Sequence, residues 1–146
     1  MAGSVPGALG MTVIMDPREL VTRLHSELFA SGDLATLDRF FAPDVVSHDM
    51  PPGFPQGIEG VRRFFQSFHD AFPDISVRVD EIVVEGDRAA IATTIVGTHD
   101  GELLGIAATG RRVAITGIDL VRVQDGRIVE HRGLTDTVGL LRQLSG

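Results

Sequence analysis

Apolar residues recur at helical spacing in the first half of the chain and alternate with polar ones in the second. In "DPRELVTRLHSELFASGDLATLDRFFAPDVV", Leu20, Leu24 and Leu28 share one helical face. Leu34, Leu37, Phe40 and Phe41 continue the spacing beyond the break at Ser31-Gly32-Asp33. Asp16 reads as an N-cap and Pro17 as the first helical residue. The pattern predicts a helix of about 14 residues, a turn, and a shorter helix ending before Pro43. "DVVSHD" reads as a short strand running into "MPPGFPQG", whose prolines and glycines exclude regular structure. "GIEGVRRFFQSFHDAFPD" is a third amphipathic helix, with Val61, Phe64, Phe65, Phe68 and Phe72 on one broad face and Pro73 as its stop.

From Ile75 onward the period changes to two. "ISVRVDEIVVEGDRAAIATTIVGTH" and "GRRVAITGIDLVRVQDGRIVEHRG" alternate apolar with polar residues and are punctuated by turn signals at Glu85-Gly86-Asp87-Arg88 and Asp125-Gly126. "TVGLLRQLSG" reads as one or two closing helical turns. Helices followed by a run of antiparallel strands predict an α+β domain: a cone-shaped α+β barrel, its curved, mostly antiparallel sheet of four to six strands wrapped around three N-terminal helices. Residues 16–146 form this single domain. Residues 1–15 have neither a basic n-region nor a sustained apolar run and read as a loose extension outside it.

Composition narrows the chemistry. The 146 residues suffice for one core and an enclosed cavity, and 43% hydrophobic with 23% charged is globular composition. A formal net charge of −7, with no basic run, argues against a nucleic-acid partner. No stretch is long and apolar enough for a membrane span. With no cysteine there is no disulfide or thiolate, which fits a cytoplasmic protein. All thirteen cationic side chains are arginine, so a lysine Schiff base is excluded. Tyrosine is absent as well, so an oxyanion donor must come from another group. None of the five histidines has an i,i+4 histidine partner, and the expectation is no metal and no cofactor.

The order of elements, with "GDLATLDRFFAPDVVSHD", "GIEGVRRFFQSFHDAFPD", "EGDRAAI", "GTHDGELLGIAATGRRV" and "DGRIVEHRG", resembles the SnoaL-like polyketide cyclases over about residues 18–144. Their broader fold group, nuclear-transport-factor-two-like, is shared with ketosteroid isomerases. The resemblance implies cofactor-free ring closure, with an aspartate on the last long strand shuttling a proton beside a polar helper on the strand before it. Gly133 stands at the aspartate's place and Asp119 at the helper's, so the resemblance leaves the principal proton carrier missing. The "ID-apolar-apolar-R" pattern also resembles the ketosteroid isomerase strand that supplies a neutral carboxylic-acid donor. On that match Asp119 is the donor, His25 falls near the oxyanion tyrosine's place, and His48 or Asp49 near the general base.

The hairpin "GIDLVRVQDGRIVEHRG" allows two registers. A two-residue Asp125-Gly126 turn sets Asp119 opposite Arg132. A three-residue loop, Gln124 to Gly126, sets Asp119 opposite His131 and gathers Gly117, Asp119, Val121, Val129, His131 and Gly133 on one face. The second register is favoured, and it leaves Ile118, Leu120, Arg122, Ile128, Glu130 and Arg132 on the other face. Asp119 then either orients His131 as a general base or donates as a desolvated neutral acid. Gly133 either makes room for a ligand or marks a bulge.

The expected catalytic residues are therefore Asp119, His131, His48 and Asp49. His25, Phe65, Phe68, Val121 and Gly133 are expected to line the substrate site, and the ligand is expected to be a small apolar or polycyclic molecule. The expected activity is proton-transfer cyclisation or isomerisation. The alternatives are ligand binding without chemistry, or epoxide hydrolysis, against which Asp119 and Arg122 fall on opposite faces. The apolar outer row Ile118, Leu120 and Ile128 predicts a homodimer packed through that face.

Overall fold

The computed structural model describes residues 15–28 and 31–146. The proposed extension, residues 1–15, lies outside them except for Met15. Helix α1, Pro17–Arg23, starts where Asp16 accepts a hydrogen bond from the Glu19 N–H. Instead of continuing as one regular helix, it widens into a π turn at Leu24–Leu28 that carries His25. A 3-10 helix follows at Leu34–Arg39, capped by Asp33.

Strand β1 is Phe41–Ser47 and begins before Pro43, not after it. The proline is tolerated because β1 is an edge strand, where a missing N–H need not break a ladder. Helix α2, Ile58–Ala71, is followed by β2 (Ser76–Glu85), β3 (Arg88–Thr98), β4 (Arg112–Gln124) and β5 (Arg127–Thr135). A short α3, Thr137–Ser145, closes the chain.

The five strands make one sheet in the order β1-β5-β4-β3-β2, with only the β1–β5 pair parallel. This is the expected α+β class with a curved, mostly antiparallel sheet, but β1 and β2 remain edges, so the sheet is open and does not close into a barrel. The main core joins Leu20, Leu24, Leu28, Leu37 and Phe40 to Ile91, Val121 and Ile128 of the sheet. A second cluster around Phe72, Ile115, Leu140 and Leu144 seats α3 against the other end.

The β4–β5 hairpin takes neither of the two simple registers. Asp125 and Gly126 both have positive φ, 53° and 77°, and form a two-residue turn that pairs Gln124 with Arg127 and Val123 with Ile128. The register then slips by one, so that Arg122 opposes Glu130, Val121 opposes His131 and Asp119 opposes Gly133. The extra residue is Val129, a bulge within the strand rather than a third loop residue. Asp119, Val121, His131 and Gly133 do share the inner face, but Ile128 does not belong outside: it is fully buried. The bulge is what lets Ile128 and His131 point the same way.

Ile128 packs where the hairpin, β1 and the 3-10 helix meet, so its loss cannot be filled by a small adjustment. Ile128→Ala should destabilise the fold by about 3 kcal/mol, read as a lowered urea midpoint with an unchanged m-value.

Candidate active site

Between α1, α2 and the inner face of the sheet lies a cavity of about 150 Å³. One wall is aromatic. Phe41, Phe64, Phe65 and Phe68 all line it, with Phe64 and Phe68 ring centroids 5.1 Å apart and Phe41 and Phe65 6.5 Å apart. Val21, Leu24, Ile91, Val121 and Ile128 add aliphatic surface. Such walls suit flat, largely apolar ligands. Met50 and Pro51, from the loop after β1, border it as well.

The polar groups come mainly from one side. Asp119 of β4 and His131 of β5 both line the cavity, and the Nε2–H of His131 donates to Asp119 Oδ1 at 2.8 Å. Their side chains keep about a third of their surface exposed, 32% and 31%, which places them at the mouth. Neither Asp119 Oδ2 nor His131 Nδ1 hydrogen-bonds to any other described residue.

Gly133 is the reason this pair can meet. A β-carbon there would lie 2.3 Å from Asp119 Oδ1 and 2.9 Å from His131 Cε1. The carboxylate thus occupies the volume in which any side chain at position 133 would begin. Asp49 lies alongside: it lines the cavity and accepts the Gly133 N–H at 3.0 Å.

His48 is not brought to this site. Strand alternation in β1 turns Val45 and Ser47 inward and Val46 outward, and His48, in the turn just past the strand, is exposed. His48 Nε2 meets Glu130 Oε2 at 2.6 Å on the outer face, and Glu130 Oε1 also accepts from Arg122 Nε at 2.9 Å. Of the adjacent His48-Asp49 pair, only the aspartate faces the cavity. Arg122, engaged outside, also leaves Asp119 without the inward arginine that an epoxide-opening set needs.

The Arg122 and His48 hydrogen bonds hold Glu130 at a pKa of about 2, below its ordinary 4.5. A depressed carboxylate contributes stability that is full above the unfolded value and is lost as pH falls from 4.5 towards 2. Glu130→Gln should therefore be less stable than the parent at neutral pH. That gap should close on acidification through this window, as followed by urea unfolding at a series of pH values.

His25 also lines the cavity, with Nδ1 2.7 Å from the Val21 carbonyl oxygen. His99 is fully buried away from the cavity and ties its loop through Nδ1 to Thr109. Among the described residues, no group of three or more His, Asp or Glu side chains is placed to hold a metal ion. Nor is any helix among them long and apolar enough to cross a membrane. Ser47, Thr93 and Thr135 line the cavity too, and sequence reasoning singled out none of them. The alternation Val45-Ser47-Asp49 is the signal that could have pointed to Ser47.

A profile of the SnoaL-like polyketide cyclases matches residues 19–144. The chain belongs to the SnoaL-like polyketide cyclase family. Among its relatives, the nogalonic acid methyl ester cyclase of Streptomyces nogalater is 29% identical over 126 residues, covering 80% of this chain and 88% of that one. The aklanonic acid methyl ester cyclase DnrD of Streptomyces peucetius is 46% identical over 57 residues, 39% of this chain and 38% of its own. TsrD from Streptomyces laurentii has the same fold with a TM-score of 0.80 at 32% identity, over 89% of this chain and 97% of that one. Wild-type IdmH from Streptomyces antibioticus gives 0.78 at 38% identity, over 90% and 100%. The curated relatives named here are all cyclases.

Proposed function

We propose that the protein closes a ring in a polyketide-derived, polycyclic ester by intramolecular aldol addition, without a cofactor. One observation carries this reading: the Asp119 carboxylate, held by His131, fills the room left by Gly133 at the mouth of an aromatic cavity. The resemblance to SnoaL-type cyclases expects a proton-carrying aspartate to enter from position 133. Here the carboxylate reaches the same volume from β4, so the missing side chain does not mean missing chemistry.

In the proposed reaction Asp119 removes a proton from a carbon flanked by carbonyls. That carbon bonds to a ketone carbon of the same molecule. The ketone oxygen becomes a hydroxyl as the proton returns to it from Asp119. Substrate and product are isomers, and the balance calls for no oxidant or reductant. His131 donates to the carboxylate and orients it. Asp49 acts as a positioning residue, fixing β5 through the Gly133 N–H. His25, Phe65, Phe68 and Val121 contact the apolar rings. A cysteine-free chain fits work in the cytoplasm.

Incubation with aklanonic or nogalonic acid methyl ester should give a product of unchanged mass and altered retention. In deuterated buffer the starting ester should exchange its acidic proton faster than without protein. Tight binding of both esters with neither conversion nor exchange would overturn the reading in favour of a non-catalytic ligand carrier.

The outer face supports a homodimer as part of the same proposal. Leu134 is 76% exposed and Ile118 62% exposed, with Leu120 and Val83 beside them. Leu134, the register partner of Ile118, extends this row, whereas Ile128 of the expected patch is buried. Light scattering at micromolar concentration should give twice the chain mass, and Ile118→Arg should return the monomer.

A further inference from the structure

Ser47 is the other polar group that this cavity does not explain. It ends β1, is 3% exposed and lines the cavity, yet its Oγ has no hydrogen-bond partner among the described residues. A buried hydroxyl without a partner is unfavourable, and such groups call for an explanation. Its backbone, by contrast, is doubly held. The Ser47 N–H donates to Gln56 Oε1 at 3.0 Å, and Gln56 Nε2 donates to the Ser47 carbonyl at 2.9 Å. The backbone that carries the hydroxyl is thus held in place, while the Oγ itself has no partner among the described residues. On the sheet, Ser47 is the register partner of His131, so it lies beside the strand that carries the dyad's histidine.

We infer that the Ser47 hydroxyl is the hydrogen-bond donor for a carbonyl oxygen of the substrate, the oxygen on which negative charge collects when Asp119 removes the neighbouring proton. A chain without tyrosine needs such a donor from another residue type, and a donor already in place is effective because it needs no rearrangement as the charge develops. The inference rests on the ring-closure reading for its catalytic part. The donor role itself stands on the orphaned hydroxyl.

The test is Ser47→Ala, alone and combined with Asp119→Asn as a non-turning-over protein for binding. With aklanonic acid methyl ester, Ser47→Ala should lower kcat by about 100-fold and raise KM only several-fold, because most of the bond's strength appears in the transition state. The melting temperature should hold or rise, since the substitution removes an unpartnered polar atom. A merely structural serine would instead lower the melting temperature and leave kcat alone. In the Asp119→Asn background, Ser47→Ala should weaken ester affinity several-fold by fluorescence titration.

If the parent protein binds the ester without converting it and Ser47→Ala still weakens binding, the ring-closure reading fails and the donor role stands. If conversion proceeds and Ser47→Ala changes neither kcat nor affinity, the donor role is wrong. If the parent protein fails to bind either methyl ester, both fall.

Discussion

Asp119→Asn should lower kcat by on the order of 10³-fold, within the range that one positioned acid–base group supplies, with KM little changed. The substitution is nearly isosteric, and an amide oxygen can still accept from His131 Nε2–H, so what is lost is charge and basicity rather than shape. Stability in urea should stay within about 1 kcal/mol of the parent, since the side chain is partly exposed and makes one hydrogen bond. His131→Gln separates the two members. It can still present an N–H to the carboxylate, so a supporting role predicts about a tenfold loss. If His131 were itself the base, His131→Gln would fall as far as Asp119→Asn. An Asp119→Asn protein within threefold of the parent would remove the dyad from the mechanism.

The second large effect comes from the residue with no side chain. Gly133→Ala puts a methyl group 2.3 Å from Asp119 Oδ1, closer than any two such atoms can stand. The nearest atoms belong to the movable ends of Asp119 and His131, not to backbone, so the fold can yield where the hydrogen bond cannot. The expected result is a loss of on the order of 10²-fold in kcat with a nearly unchanged unfolding midpoint. A carboxylate on position 133 should compete for the same volume. Asp119→Ala combined with Gly133→Asp should therefore recover at least tenfold over Asp119→Ala alone, by returning the proton carrier to β5. No recovery would mean that the two positions are not interchangeable in space. A fully active Gly133→Ala protein would show that the Asp119–His131 contact is dispensable.

Much of this was legible in the chain, and the exceptions have definite causes. Period-two alternation put Asp119, His131 and Gly133 on one face. Helical spacing found α2 and the aromatic wall. The route to the shared face was misread because a strand bulge has no sequence signature. It depends on Ile128 being drawn into a core made by residues far away, Leu37 and Phe40 among them. His48 was misplaced for a related reason: one residue decides the face, and β1 starts two residues ahead of the proline that seemed to bar it. Ser47 went unnoticed because serine carries no distinctive signal until burial and the absence of a partner are visible.

The Val129 bulge has a consequence beyond this hairpin. Without it, a two-residue turn would place inward residues of β4 and β5 an odd number of positions apart. With it, the separations become even, as for Asp119 with His131 and Gly133. Whether a given β5 residue points into the cavity or into solvent is thus a matter of parity. In a homologous hairpin, gain or loss of one compensating residue would exchange the reactive row for the outer one while leaving every side chain in the sequence. Comparing relatives by residue identity alone would miss such an exchange; counting across the turn would reveal it.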